Sequence, residues 1–119
     1  MKTVKEIEVI LRNSYGAACY HAYSLFDSYP VITDGVKNVA DAAECYWFLD
    51  IIGSYQKDKN LNKWFQVWKL TKREDESCIV EGSNDRKLII TQEVPYTDFP
   101  MKELVLWLEN GVILLPSEH

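Results

Sequence analysis

The first apolar positions, Val4, Ile7, Ile10 and Leu11, recur at helical spacing behind Thr3 and Glu6. A Thr followed three residues later by a Glu is a capping box, so a short amphipathic helix is predicted over residues 3–11, ended by Asn13-Ser14-Tyr15-Gly16. Cys19, Tyr20, His21 and Tyr23 suit a short strand over residues 18–24, and Asp27-Ser28-Tyr29-Pro30 is turn chemistry. After a Val31-Ile32 step, Thr33-Asp34-Gly35 supplies capping oxygens ahead of one long helical pattern reaching about Tyr55. Val36, Ala40, Ala43, Trp47 and Ile51 share a face of that helix, with Lys37, Asp41 and Glu44 on its flank. From Tyr46 to Ile52 the flank turns apolar through Phe48, Leu49 and Ile52. That half is expected in the centre of the domain or against a second subunit.

Beyond a solvated loop at 56–63 the period changes from helical to alternating. Residues 64–71 set Phe65, Val67 and Lys69 against Trp64, Gln66, Trp68 and Leu70. Residues 78–81 form a shorter apolar run, and 87–94 alternate again. With hairpin-length connections at 72–77 and 82–85 these three strands make an antiparallel meander. The segment from Pro95 to Pro100 breaks it, with Asp98 placed to close an Asx-turn. Asn110-Gly111 between the apolar runs 104–109 and 112–115 is a hairpin signal, because both central residues of such a turn take positive φ. A helix begun by Asp98 and stopped by Gly111 competes with that reading. The expected architecture is α+β: a single two-layer domain over 1–119, an N-terminal helix and one long helix packed on a mostly antiparallel sheet with a C-terminal hairpin.

Composition changes this picture in three ways. A chain of 119 residues that is 47% hydrophobic and 13% aromatic can fill one core without disulfides or metal. A net charge of −5 argues against free nucleic acid as a partner, because phosphate binding depends on Lys and Arg releasing counterions. The same acidity admits a decoy of a nucleic-acid-binding protein, provided that the carboxylates cluster on one face. Cys19, Cys45 and Cys78 are an odd number and far apart, so no disulfide framework is implied and a reducing compartment fits. Glu6 and Glu8 interrupt any secretory apolar stretch, and no run approaches a membrane span of roughly 20 residues. A cytoplasmic location with no membrane association follows.

Thr33-Asp-Gly-Val-Lys37, Tyr46-Trp-Phe-Leu-Asp50, Phe65-Gln-Val-Trp-Lys-Leu70, Tyr96-Thr-Asp-Phe-Pro100 and Asn110-Gly-Val-Ile-Leu-Leu-Pro-Ser-Glu118 occur in that order. Together they resemble a bacterial domain-of-unknown-function family, from about Tyr20 onward. The resemblance implies a small stand-alone protein, often encoded near phage- or plasmid-like genes, and brings no activity with it. His119 stands where the family pattern has Tyr.

His21, two residues from Cys19 on one strand face, could act as a base or a ligand. Both chemistries need further partners, and Cys-x-x-Cys or His-x-x-x-His spacing is lacking. Otherwise the pair is a hydrogen-bonded histidine and a small hydrophobe. Asp50, about 60° from Trp47 around the helix and flanked by Leu49, Ile51 and Ile52, is expected inside and must be paired, capping or raised in pKa. Thr33-Asp34-Gly35 could offer backbone N–H groups to an anion, or simply cap a helix. Pro116-Ser117-Glu118 could dock on the body of the fold through an Arg or Lys partner of Glu118. Tyr46, Trp47, Trp64, Trp68, Tyr96 and Trp107 could line a flat-ligand pocket or a protein interface, or fill the core. These features favour a non-enzymatic interaction module, binding a protein partner or a second copy, with no cofactor or metal. A small hydrolase or transferase using His21, Asp34 or Asp50 is the first alternative, and the acidic decoy is the second.

Overall fold

The computed structural model describes residues 3–12, 20–22, 30–62, 64–84 and 87–118. Helix α1 (Val4–Arg12) starts as expected. Thr3 Oγ1 accepts from the Glu6 backbone N–H at 3.2 Å and donates to Glu6 Oε1 at 3.1 Å, while Ile7 is fully buried. The expected stop at Asn13–Gly16, the ends of the 18–24 strand with Cys19 and Tyr23, and residues 27–29 of the turn lie outside the described residues. Within that strand β1 (Tyr20–Ala22) is formed, and Val31 and Ile32 belong to a strand of their own, β2 (Val31–Thr33).

The long helix is two helices, α2 (Asp34–Ala43) and α3 (Tyr46–Ser54). Glu44 takes the left-handed conformation at φ 53°, ψ 46°. Its N–H and that of Cys45 both reach the Ala40 carbonyl. This is a Schellman ending, in which the last carbonyls of a helix are capped by a residue with positive φ. Glycine is the usual occupant, so a Glu in that place gives no warning in the sequence. The break rotates the second helix relative to the extrapolated stripe: Phe48, Leu49 and Ile52 are buried, Trp47 and Ile51 are half-buried, and Asp50 is exposed.

The alternating segments form β3 (Phe65–Lys72), β4 (Cys78–Asn84) and β5 (Lys87–Val94), an antiparallel meander. Asn110 at φ 51° and Gly111 at φ 80° join β6 (Glu103–Glu109) to β7 (Val112–Leu114), so the hairpin prevails over the helix. One sheet holds all seven strands in the order β1-β2-β7-β6-β3-β4-β5. All neighbours are antiparallel except β2 and β7. Gln66, Trp68 and Leu70 of β3, Val80 of β4 and Leu104, Leu106 and Leu108 of β6 point to the helix face and are buried. The opposite face carries the Lys69–Glu103 and Arg73–Glu93 ion pairs. In the 95–100 segment Thr97 Oγ1 accepts from the Phe99 N–H, and the Asx-turn expected at Asp98 does not form, because it would need an N–H at position 100, which is Pro. A short 3-10 helix, Pro116–Glu118, closes the chain against β6.

Candidate functional site

Two places bring chemistry-bearing residues together. The first is the start of α2, where β2 runs straight into the helix. Thr33 is the N-cap: its Oγ1 accepts from the Val36 N–H at 3.3 Å and donates to Glu118 Oε1 at 2.6 Å. The Leu115 N–H also donates to Glu118 Oε1, at 2.9 Å. A Cβ on Gly35 would lie 2.8 Å from the Glu118 carboxyl carbon, so only glycine lets the carboxylate sit there without a shift. Glu118 Oε2 is shielded from solvent and has no hydrogen-bond partner among the described residues. The positive end of α2 is what favours a carboxylate in this position. The anion place weighed at Thr33-Asp34-Gly35 is thus filled by the chain's own terminal segment. The Arg or Lys expected beside Glu118 is replaced by a hydroxyl and a backbone N–H.

Pairing of β1 with β2 sets His21 opposite Ile32 and brings its Nε2 to 2.5 Å from Asp34 Oδ1. Both side chains are about one-third exposed, at 35% and 36%. A carboxylate on one imidazole nitrogen orients the ring and leaves Nδ1 as the working nitrogen for acid or base chemistry. Asp50 is not part of this cluster. It is exposed on α3, because the break at Glu44 turns it to solvent, and the burial expected of it does not occur. Among the described residues no three His, Cys, Asp or Glu converge on a metal-sized site.

The second place is a groove of about 460 Å³ between α3 and the end of β5, lined by Trp47, Ile51, Gln92, Val94, Tyr96 and Asp98 among others. That volume lies in the roughly 300–1,000 Å³ range of ligand clefts. Its floor is reached through Gln92 by a polar chain that is part-buried at Tyr55 and Gln56 and wholly buried at Gln66 and Trp68. Tyr55 stacks on Trp68 with ring centroids 6.0 Å apart and donates its hydroxyl to Gln92 Oε1 at 2.7 Å. Trp68 Nε1 donates to Gln66 Oε1, and Gln66 exchanges amide hydrogen bonds with Gln56.

The aromatic candidates separate accordingly. Trp47 and Tyr96 both line the groove, Tyr96 being 72% exposed. Trp68 is wholly buried and belongs to the core, so it offers no surface to a ligand. Trp107 packs edge-on against Phe65 at 5.4 Å, and Trp64 is 74% exposed just before β3. Tyr46 donates its hydroxyl to Asp41 Oδ1. Ile51, Gln92 and Val94 are groove residues that sequence reasoning did not single out; the i, i+4, i+8 spacing of Trp47, Ile51 and Tyr55 was the signal that could have found this wall. Cys45 and Cys78 are free and buried, and burial pushes the Cys45 thiol up to about 12, which leaves it inert.

The sequence profile of a family of unknown function, DUF6876, matches residues 5–119. The chain belongs to DUF6876. The match begins well before Tyr20, so α1 is part of the family unit. No curated protein and no solved structure matches the chain. Membership in DUF6876 assigns no role to any residue, and among the described residues no helix is long and apolar enough to cross a membrane.

Proposed function

We propose that this DUF6876 chain is a non-enzymatic interaction module that takes a protein partner in the groove between α3 and β5. The observation that carries this reading is Tyr96, a large aromatic residue left 72% exposed on the rim of a groove that Trp47 and Ile51 wall. Aromatic side chains with an apolar body and a polar tip are the residues most enriched at binding hot spots. Free, buried Cys45 and Cys78 support a reducing, cytoplasmic setting. The acidic decoy is disfavoured by local neutralisation, since Asp41, Glu76, Glu93 and Glu103 each lie beside a Lys or Arg. A photo-crosslinking side chain placed at Tyr96, and in separate variants at Trp64 and Asp50, tests the reading in the native cell. Adducts concentrated at position 96 are expected, and equal yields from all three positions would refute it.

A second reading rests on His21 and Asp34, which sequence reasoning named and which the fold brings to 2.5 Å. An imidazole oriented by a carboxylate supports a small hydrolase or transferase with His21 as acid–base and Asp34 orienting it. Turnover of simple esters or phosphodiesters that His21→Gln abolishes while the fold is retained would establish it. Unchanged turnover in that variant removes it.

A further inference from the structure

We infer that the groove is completed by an extended segment of a partner protein, which adds to β5 as an eighth strand and carries a Lys or Arg toward Asp98. This rests on the interaction reading and deepens it. β5 ends the sheet order, and among the described residues no strand lies on its outer side. Every second residue of such an edge directs its N–H and C=O away from the sheet, which makes the edge a template for another strand.

The two halves of β5 treat that hazard differently. At its start the strand carries Lys87, and the register against β4 shifts between Gly82 and Ser83. A lysine and a bulge are the usual means of blunting an edge. From Ile90 to Val94 the register runs without a break, from Gly82↔Ile90 to Cys78↔Val94. This regular half is the one beside the groove, since Gln92, Glu93 and Val94 line it. The edge is guarded in the half away from the groove and left regular where α3 supplies a wall.

The wall suits an extended occupant. Trp47 and Ile51 are one helical turn apart, about 6 Å along the axis. Alternate side chains of a strand repeat at about 6.7 Å. Tyr55, one turn further, ties α3 to Gln92, so the width of the groove is set before anything enters. Charge selects the kind of strand. Glu93 and Asp98 are the charged residues of the lining, and no Lys or Arg is among them. Glu93 is held by Arg73, which leaves exposed Asp98 as the carboxylate for an incoming cation. A second copy would bring the same acidic lining and another net charge of −5, whereas a basic segment would be attracted.

The test uses the whole chain, isotope-labelled, and peptides enriched on it from a displayed random dodecapeptide library. The enriched sequences are expected to alternate apolar residues with Lys or Arg. Their synthetic forms should slow amide exchange at Ile90–Val94. N-methylation of one alternating set of peptide amides should weaken binding by about a hundredfold and of the other set by less than about threefold, because only one set faces β5. Asp98→Lys should weaken binding about tenfold while thermal unfolding stays unchanged. Binding in the groove that tolerates both methylated sets overturns strand addition and leaves the interaction reading standing. Peptides that map elsewhere, or no enrichment, overturn both. Protection of Ile90–Val94 that rises with protein concentration alone, together with a sedimenting dimer, assigns the edge to a second copy and overturns the basic partner.

Discussion

The two ends of the sheet end differently. At the β1–β2 end the chain engages its own polar groups, Glu118 Oε2 excepted: Thr33 and Leu115 bind Glu118 Oε1, His21 meets Asp34, and Gly35 leaves room for the carboxylate. At the β5 end a regular edge strand, an aromatic helix wall and an exposed Tyr96 surround a groove. A helix N-terminus suited to an external anion is therefore a fastening, while the apolar end keeps an open groove. Charge-bearing motifs catch the eye in a sequence, yet here they are largely occupied with one another. The opening lies among residues that the sequence offers to a core, to an interface and to a turn.

The largest expected effect tests whether the open end stands on the core. Trp68 is fully buried under Tyr55, and its ring lies where a Cβ on Gly82 would come within 2.7 Å. Trp68→Ala should cost about 3–5 kcal/mol in urea denaturation, the usual range for deleting a large buried aromatic. It should also lower affinity at the groove, because the Gln66–Trp68–Tyr55 support is lost. A cost under about 1 kcal/mol would mean that the floor is loosely packed, and the contrast between a built end and an open one would weaken.

Next in size is the fastening. Glu118→Ala leaves the Thr33 hydroxyl and the Leu115 N–H without their acceptor and should cost about 1–3 kcal/mol. Gly35→Ala should also destabilise, since its Cβ meets the carboxyl group at 2.8 Å. With Glu118 already removed, the same Gly35→Ala change should turn neutral or stabilising, by up to about 1 kcal/mol, because Ala is the better helix former. A double-mutant cycle measures this reversal. Additive losses would show that Gly35 is needed for some reason other than Glu118.

Much of the scaffold was legible locally. The Thr3–Glu6 box, the meander and the Asn110-Gly111 hairpin each rest on a signal contained within about ten residues. What escaped was long-range or conformationally disguised. Nothing in the period of Val112–Leu114 announces a parallel partner in β2. The sequence interval of 13 residues hides the His21–Asp34 contact, which the β1–β2 pairing creates. Glu44 supplies the helix break without the glycine that usually marks one, and so a single helix extrapolated from Thr33 sets Asp50 nearer the buried stripe than α3 does. Trp64 and Trp68 share a parity, yet Trp64 precedes the strand and is exposed while Trp68 is enclosed. At residues 33–35 the sequence offers either a plain helix cap or an anion place, and Thr33 caps α2 with a carboxylate beside it. The occupant lay 85 residues away in sequence.

The joint between the helices links the two ends, since α2 carries the fastening and α3 carries the groove. Glu44 holds φ 53° with a side chain whose Cβ disfavours that region. Glu44→Gly should stabilise the protein by about 0.5–1 kcal/mol, read as a higher midpoint in thermal unfolding. A lower midpoint would show that the contacts of the Glu44 side chain outweigh its backbone strain.

The smallest effect concerns the clamp across that joint. Asp41 on α2 accepts from the Tyr46 hydroxyl on α3 at 2.6 Å and from Lys37 Nζ at 3.0 Å. The Tyr46 hydrogen bond first, and Lys37 second, hold the Asp41 carboxyl below its ordinary range. Burial first, and Asp41 second, push the Tyr46 hydroxyl up to about 12. A carboxyl whose pKa is lower in the folded state contributes stability above its unfolded pKa of about 3.9 and loses it as pH falls through the folded value. For the tyrosine, raised on folding, the contribution is complete below about pH 10 and disappears as pH rises through about 12. Because the Asp41 side chain is half exposed, solvent screening limits the pair to about 0.5 kcal/mol or less. Wild type should therefore exceed Asp41→Asn by that small margin in urea at pH 7, and the two should converge only as pH falls below the ordinary carboxyl range, through the lowered folded value. No margin at pH 7 would mean that the joint is held by the Glu44 turn and the packing of Cys45 alone, with the two ends of the sheet coupled through backbone geometry rather than through this carboxylate, and a margin that outlasts protonation would mean that Asp41 acts through a neutral hydrogen bond.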